Sequence, residues 1–255
     1  MPTVIDLAPW AWILLATAGV VVGLSKTALP GANTVAVAIF AALLPARTST
    51  GALLLLLIVG DLFALLTWRR HAHWPTLLRL APAVVAGLVL GAVFLAFSDN
   101  AVVRPVIGAI LLAMVGVTLW RRSRGDKAAR AVEGASHLST TLGYGALGGF
   151  TTMVANAGGP VMSMYFLAMR TPVKVFLGTA AWFFAIVNIV KVPVLVGLGL
   201  ITGPVLLMDA VLVPTVVVGA LVGRWLVPRI HQALFDRIVL ALTILGALYL
   251  LIPSA

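Results

Sequence analysis

Cysteine is absent from the 255 residues, which excludes disulfides, thiol nucleophiles and thiolate metal sites. Charge is scarce: Asp, Glu, Lys and Arg together make up 9% of the chain, against roughly 25% in a soluble domain. With 62% apolar residues and a mean hydropathy of +1.15, too little polar sequence remains to cover a water-facing surface. A soluble globular enzyme or a soluble binding module is therefore excluded. Carboxylates are the rarest charges, 7 against 17 Lys and Arg, for a net charge of +10. In a soluble protein that excess would point to nucleic acid. Here the basic residues sit in short loops between apolar runs, the pattern that orients spans in a bilayer, and no nucleic-acid partner is expected. The first basic residue is Lys26. No positive n-region precedes the first apolar run, and no cleavable signal peptide is expected.

Apolar runs are what the chain does have. They fall at 8–24, 31–45, 50–67, 76–97 and 101–120, then at 138–155, 160–169, 174–192, 193–227 and 233–252. Between the two groups lies a polar stretch with Arg121, Arg122, Arg124, Lys127, Arg130 and Glu133. At ~20 residues per crossing the chain has room for about ten short spans. The fold class expected is an all-α integral membrane protein of eight to ten membrane segments. In the long 193–227 run, Gly197, Gly199, Gly203 and Pro204 predict a short interfacial piece before a full crossing from about Val205.

Two segments are short. A helix from Pro160 to Met169 rises about 15 Å, against a hydrocarbon core of about 30 Å, and 31–45 is marginal on the same arithmetic. Each follows a break, Ser25-Lys26-Thr27-Ala28-Leu29-Pro30-Gly31 in the first half and Asn156-Ala157-Gly158-Gly159-Pro160 in the second. Short, Gly/Pro-interrupted segments at matching places in two halves mark discontinuous helices of a transporter. The halves match elsewhere. Pro45, Gly51 and Asp61 align with Pro172, Gly178 and Asn188 at an offset of 127, and Pro82, Gly87 and Gly91 with Pro214, Gly219 and Gly223 at an offset of 132. The reading is an internal duplication: a first transmembrane repeat over 1–120, a cytoplasmic linker over 121–137 and a second repeat over 138–255.

Placing the N-terminus outside puts Arg69, Arg70, Arg79, the 121–130 cluster, Arg170, Lys174, Arg224, Arg229 and Arg237 inside, with only Arg47, Arg104 and Lys191 towards the outside. That holds whether 8–45 and 138–169 cross fully or return as re-entrant hairpins, and it satisfies the positive-inside rule. Each half then contains an odd number of crossings, so the repeats are inverted and both termini lie outside. Trp10, Trp12, Trp68, Trp74, Trp120 and Trp225 sit at span ends as an interfacial belt, while Trp182 lies mid-span and is read as packing.

A helix that begins within the membrane leaves N–H groups unpaired and places partial positive charge there. Inverted symmetry brings two such starts, after Pro30 and Pro160, towards one point, where Gly31, Gly158 and Gly159 let backbone approach a ligand. That suits an anion. Lys26 is an ionisable group inside the membrane and a functional candidate for that reason; Ser25, Thr27 and Asn33 beside it supply hydrogen bonds. Its other reading is an ion pair with Asp61, which reads as the only carboxylate well inside a span. Asp61 could be that counter-ion, a proton-coupling acid or a helix–helix hydrogen-bond group. Its repeat mate Asn188 lies one turn before Lys191, so Asp61, Asn188 and Lys191 are pathway candidates. Asn156 is favoured as a donor to ligand oxygens over Thr151 and Thr152, which read as helix glue. The GxxxG pairs at Gly19/Gly23, Gly87/Gly91, Gly145/Gly149 and Gly219/Gly223 read as packing faces.

No enzyme is expected. Lys26-Thr27 lacks the glycine and the preceding strand of a P-loop. Adjacent Ser25 and Lys26 diverge by about 100° on a helix and make a poor nucleophile pair. His71, His73, His137 and His231 lie in loops without metal-ligand spacing; no metal and no cofactor are expected.

Gly19-x3-Gly23 leading into Ser-Lys-Thr-x-x-Pro-Gly, then Pro45-x-Arg-x-Ser-Thr-Gly51, resembles the TauE/SafE sulfite exporter family. The second half is similar again, with Gly148-Gly149-Phe150, Asn156-x-Gly-Gly-Pro160, Thr171-Pro172 and Gly178. The resemblance implies an inner-membrane carrier, usually an exporter, of sulfur-containing anions such as sulfite, thiosulfate or organosulfonates. It also implies that the two Pro-terminated motifs border the substrate path. The partners expected are a small anion, the lipid bilayer and, through Asp61, a coupled proton. An anion channel and a non-transporting membrane scaffold are the alternatives.

Overall fold

The computed structural model describes residues 7–27, 32–124, 137–169 and 171–226, with 241, 243–245 and 247–252 near the C-terminus. Every regular element among these is helical. They are α1 (Pro9–Thr27), α2 (Asn33–Leu43), α3 (Ala46–Trp68), α4 (Trp74–Phe97), α5 (Asn100–Arg124), α6 (His137–Ala155), α7 (Gly158–Ala168), α8 (Val173–Gly197) and α9 (Gly203–Leu226), with one 3-10 turn at Arg69–His71. An apolar chain in lipid has no water to satisfy backbone N–H and C=O groups, and helices satisfy them internally. Among the described residues, six stretches are long and apolar enough to cross a membrane: Pro9–Thr27, Ala46–His71, Trp74–Phe97, Asn100–Val117, Lys174–Gly197 and Gly203–Trp225. α2 and α7 have 11 residues each, about half a crossing. This is a multi-pass helical membrane protein. Its outward faces carry exposed Leu66, Leu78, Phe97, Leu207 and Trp225, a surface that only hydrocarbon would favour.

The elements differ from the sequence expectation in three places. Ser25, Lys26 and Thr27 do not belong to a break but form the last turn of α1; Pro30 and Gly31 lie outside the described residues. The second break is confined to Asn156 and Ala157, and α7 starts at Gly158, so Pro160 lies in its first turn. Proline is tolerated there because first-turn N–H groups have no intrahelical partner anyway. No interfacial piece follows residue 192. α8 runs through Pro193 to Gly197, and after the bend at Leu198–Thr202 the next helix begins at Gly203. Of the linker expected over 121–137, residues 125–136 lie outside the described residues, as do Arg170, Arg229, His231 and Arg237.

α1 packs on α9 and α4 on α6, the two most extensive helix pairs among the described residues. Both contacts run through GxxxG glycines. A Cβ at Gly23 would strike the carbonyl oxygen of Val216, and one at Gly219 that of Val20; a Cβ at Gly87 would strike the carbonyl oxygen of Ala146, and one at Gly149 that of Val84. Without hydrophobic drive between helices in lipid, such close backbone approach supplies the attraction. α2, α3, α7 and α8 bring Phe40, Leu53, Leu56, Tyr165, Phe166 and Phe183 into the buried core. Trp182 stacks on Trp74 at 5.2 Å between ring centroids and donates its indole N–H to the carbonyl of Arg69 at 3.2 Å, a packing contact.

Candidate functional site

The end of α1 is tied down by its own backbone. Ser25 Oγ donates to the carbonyl of Val22 at 2.9 Å and Thr27 Oγ1 to that of Gly23 at 3.0 Å. Lys26 is left to reach across to α3. A Cβ at Gly60 would lie 2.8 Å from Lys26 Cγ, so glycine at that position lets the lysine stem cross the α3 backbone. The Lys26 ammonium then donates to Asp61 Oδ1 at 2.5 Å and sits over the Phe184 ring, 4.7 Å from its centroid. Asp61 Oδ2 accepts from Asn188 Nδ2 at 2.7 Å. The carboxylate is 2% exposed and paired through both oxygens, which is what a charge in an apolar bundle requires.

The α6–α7 break is organised around Asn156, whose φ of +52° is a left-handed conformation that Asn tolerates better than most side chains. Its amide nitrogen donates to the carbonyl of Thr50 at 2.9 Å, and its own carbonyl accepts from Asn33 Nδ2 at 3.0 Å. Asn33 is the first residue of α2, so the starts of the two half-length helices lie side by side. Lys191, 1% exposed, donates to Asn156 Oδ1 and to the carbonyl of Thr152, both at 2.5 Å. Lys191 is thus buried inside the bundle.

Between these two networks is a cavity of about 80 Å³, room for several waters or one small polyatomic ion. Ser25, Lys26, Asn33, Asp61, Thr152, Asn156, Gly159, Ser163, Phe184 and Asn188 line it. Of the residues singled out from sequence, Ser25, Lys26, Asn33, Asp61, Asn156, Gly159 and Asn188 therefore come together. A Cβ at Gly159 would meet nothing within 4 Å, so the backbone there is open. Thr27 does not reach the lining and packs against Gly223; Gly158 instead lets α7 approach Thr152, whose Cβ would lie 2.9 Å from an added methyl. Lys191 stands behind Thr152 and Asn156 and does not line the cavity.

Thr152, read from sequence as helix glue, lines the cavity as well, and Ser163 and Phe184 escaped the sequence reading. A helical period was available to find Phe184, because Ala181, Phe184, Asn188 and Lys191 share one face of α8. On α3, the lining residues Leu57, Asp61, Ala64 and Trp68 follow the same rule. Asp61 is also not the only buried acid. Asp209, in the second turn of α9, is 3% exposed, and neither carboxylate oxygen has a hydrogen-bond partner among the described residues.

A polar, charged cavity inside an apolar bundle, bounded by the starts of two half-length helices, is the architecture of a membrane transporter. The chain belongs to the sulfite exporter TauE/SafE family, whose description "Sulfite exporter TauE/SafE" it matches over residues 15–250, nearly its whole length. No curated protein and no solved structure matches it.

Proposed function

We propose that this protein is a secondary transporter, working as an exporter in the cell inner membrane, for a small sulfur-containing anion such as sulfite, thiosulfate or an organosulfonate. The observation that carries the reading is the cavity itself. Lys26, Asn33, Asn156 and the open backbone at Gly159 converge on it, and Lys191 adds a second ammonium behind its wall. The Lys26 ammonium at the wall and Lys191 behind it supply the charge that a small oxyanion needs, while the amide oxygens of Asn33 and Asn188, unbonded among the described residues, are acceptors. Membership of a family of sulfite exporters supports sulfur as the central atom.

Alternating access by rocking one inverted repeat against the other is the proposed mechanism. Three observations support the duplication. The two large interfaces are reciprocal, α1 on α9 and α4 on α6, each made through GxxxG pairs. Pro45 and Pro172 precede α3 and α8 with matching backbones, φ −52° and ψ 133° against φ −57° and ψ 142°. Asp61 and its mate Asn188 bond to each other, as residues related by a nearby two-fold axis do. The cytoplasmic side is assigned to Arg69, Arg70, Arg79, Lys174 and Arg224 by the positive-inside rule, with both termini outside. The Lys26–Asp61 pair is the proposed element that opens or reseals as the cavity changes sides.

The test is exchange of labelled sulfite across proteoliposomes carrying the purified protein. A transporter gives saturable flux and accelerated counterflow when unlabelled sulfite is trapped opposite. Flux that stays proportional to the gradient, without counterflow, would make the protein a channel, and no flux would make it a scaffold.

A further inference from the structure

Among the described residues, the formal charges around the cavity do not balance. Lys26 and Lys191 bring two ammonium groups, and among the described residues Asp61 is the only carboxylate that meets either network. Lys26 and Asp61 cancel as an ion pair at 2.5 Å. Among the described residues Lys191 has no such partner: its two bonds go to a backbone carbonyl and an amide oxygen, which orient an ammonium without neutralising it. Asp209 belongs to α9 and does not line the cavity. With Lys191 protonated, the described part of the wall therefore carries one positive charge that no carboxylate cancels, in a desolvated setting where such a charge is costly until an anion neutralises it.

We infer that the site is matched to a singly charged oxyanion, a monovalent sulfonate or hydrogen sulfite, and selects against dianions of the same shape. One negative charge brings the cluster to neutrality. A dianion such as sulfate sheds a larger hydration shell on entry and leaves a net negative charge behind it. Asp61 is then a specificity-determining residue, because its carboxylate removes one of the two ammonium charges from the count. This inference rests on the anion-transport reading and adds the valence of the substrate to it.

The experiment is thermal unfolding of the full-length protein, purified in detergent, titrated with methanesulfonate and with sulfate at matched ionic strength. Methanesulfonate is expected to bind at least about tenfold more tightly. Asp61→Asn raises the cluster to two positive charges and is expected to shift the preference towards sulfate. Lys191→Met leaves the Lys26–Asp61 pair intact, lowers the cluster charge to zero and is expected to abolish the advantage of methanesulfonate; it decides the matter if Asp61→Asn does not fold. Equal or tighter binding of sulfate to the unaltered protein, or a preference unchanged in either folded variant, overturns the valence assignment while anion transport stands. Stabilisation by neither anion, nor by sulfite or thiosulfate, removes the anion reading itself.

Discussion

Asp61 accepts Lys26 through one carboxylate oxygen at 2.5 Å and Asn188 through the other at 2.7 Å, so a single side chain on α3 holds the end of α1 and the middle of α8 together. These three helices carry most of the charged part of the cavity wall. Its integrity therefore depends on one acid.

Removing either partner of that pair leaves the other charge buried. Lys26→Met and Asp61→Leu are each expected to lower stability by about 3–5 kcal/mol, and the double variant Lys26→Met/Asp61→Leu to recover much of the loss, because no lone charge remains. Unfolding of the four proteins in one detergent checks this; additive losses in the double variant would show that the two groups are independent.

Asn156 makes two contributions, a backbone at φ +52° and an amide that bonds Thr50 and Lys191. Asn156→Gly keeps the first and loses the second. Asn156→Ala loses both and should be less stable than the glycine variant by about 1 kcal/mol. Equal stability of the two variants would mean that the bend is held by the surrounding helices without help from the residue's backbone preference.

The α1–α9 interface is made by backbone approach. Gly23→Ala would drive its methyl into the Val216 carbonyl oxygen and the Ala220 backbone, whereas a Cβ at Gly116 meets nothing within 4 Å. Gly23→Ala is expected to cost about 1–3 kcal/mol. Gly116→Ala should be neutral or stabilising by up to ~1 kcal/mol, since alanine is the better helix former. Melting curves distinguish the two, and similar melting points would contradict the contact.

Asp209 is buried with both oxygens unbonded and lies off the cavity. Asp209→Leu is expected to raise stability by about 1–3 kcal/mol, because it removes an unsatisfied polar group from the bundle, and to leave sulfite flux unchanged. A loss of flux with retained fold would move Asp209 into the transport path.

Much of the fold was legible in the chain. The scarcity of charge and the spacing of apolar runs determine a multi-pass helical membrane protein, because nothing else satisfies the backbone of such a sequence in lipid. The lengths of α2 and α7 were readable from the breaks before them, and the GxxxG pairs from their spacing. The start of the first break was not: Ser25, Lys26 and Thr27 continue α1, and the hydroxyls of Ser25 and Thr27 bond backwards to Val22 and Gly23. Continuation of α8 past residue 192 was hidden by Pro193, which a bundle accommodates inside a helix that a sequence reading would end.

The sequence by itself determined the class of protein, the half-length helices and the identity of the ionisable groups inside the apolar runs. Only the tertiary structure decided which groups meet: that Lys26 is cancelled by Asp61, that Lys191 is buried against neutral oxygens, and that Asp209 has no hydrogen-bond partner among the described residues. The reason is physical. In water, a helix declares its inward face by being apolar on one side. Here lipid and core are both apolar, so leucine and valine cover every face and the pattern points nowhere. The partners of Asp61 lie 35 and 127 residues away along the chain; their meeting depends on how the helices pack.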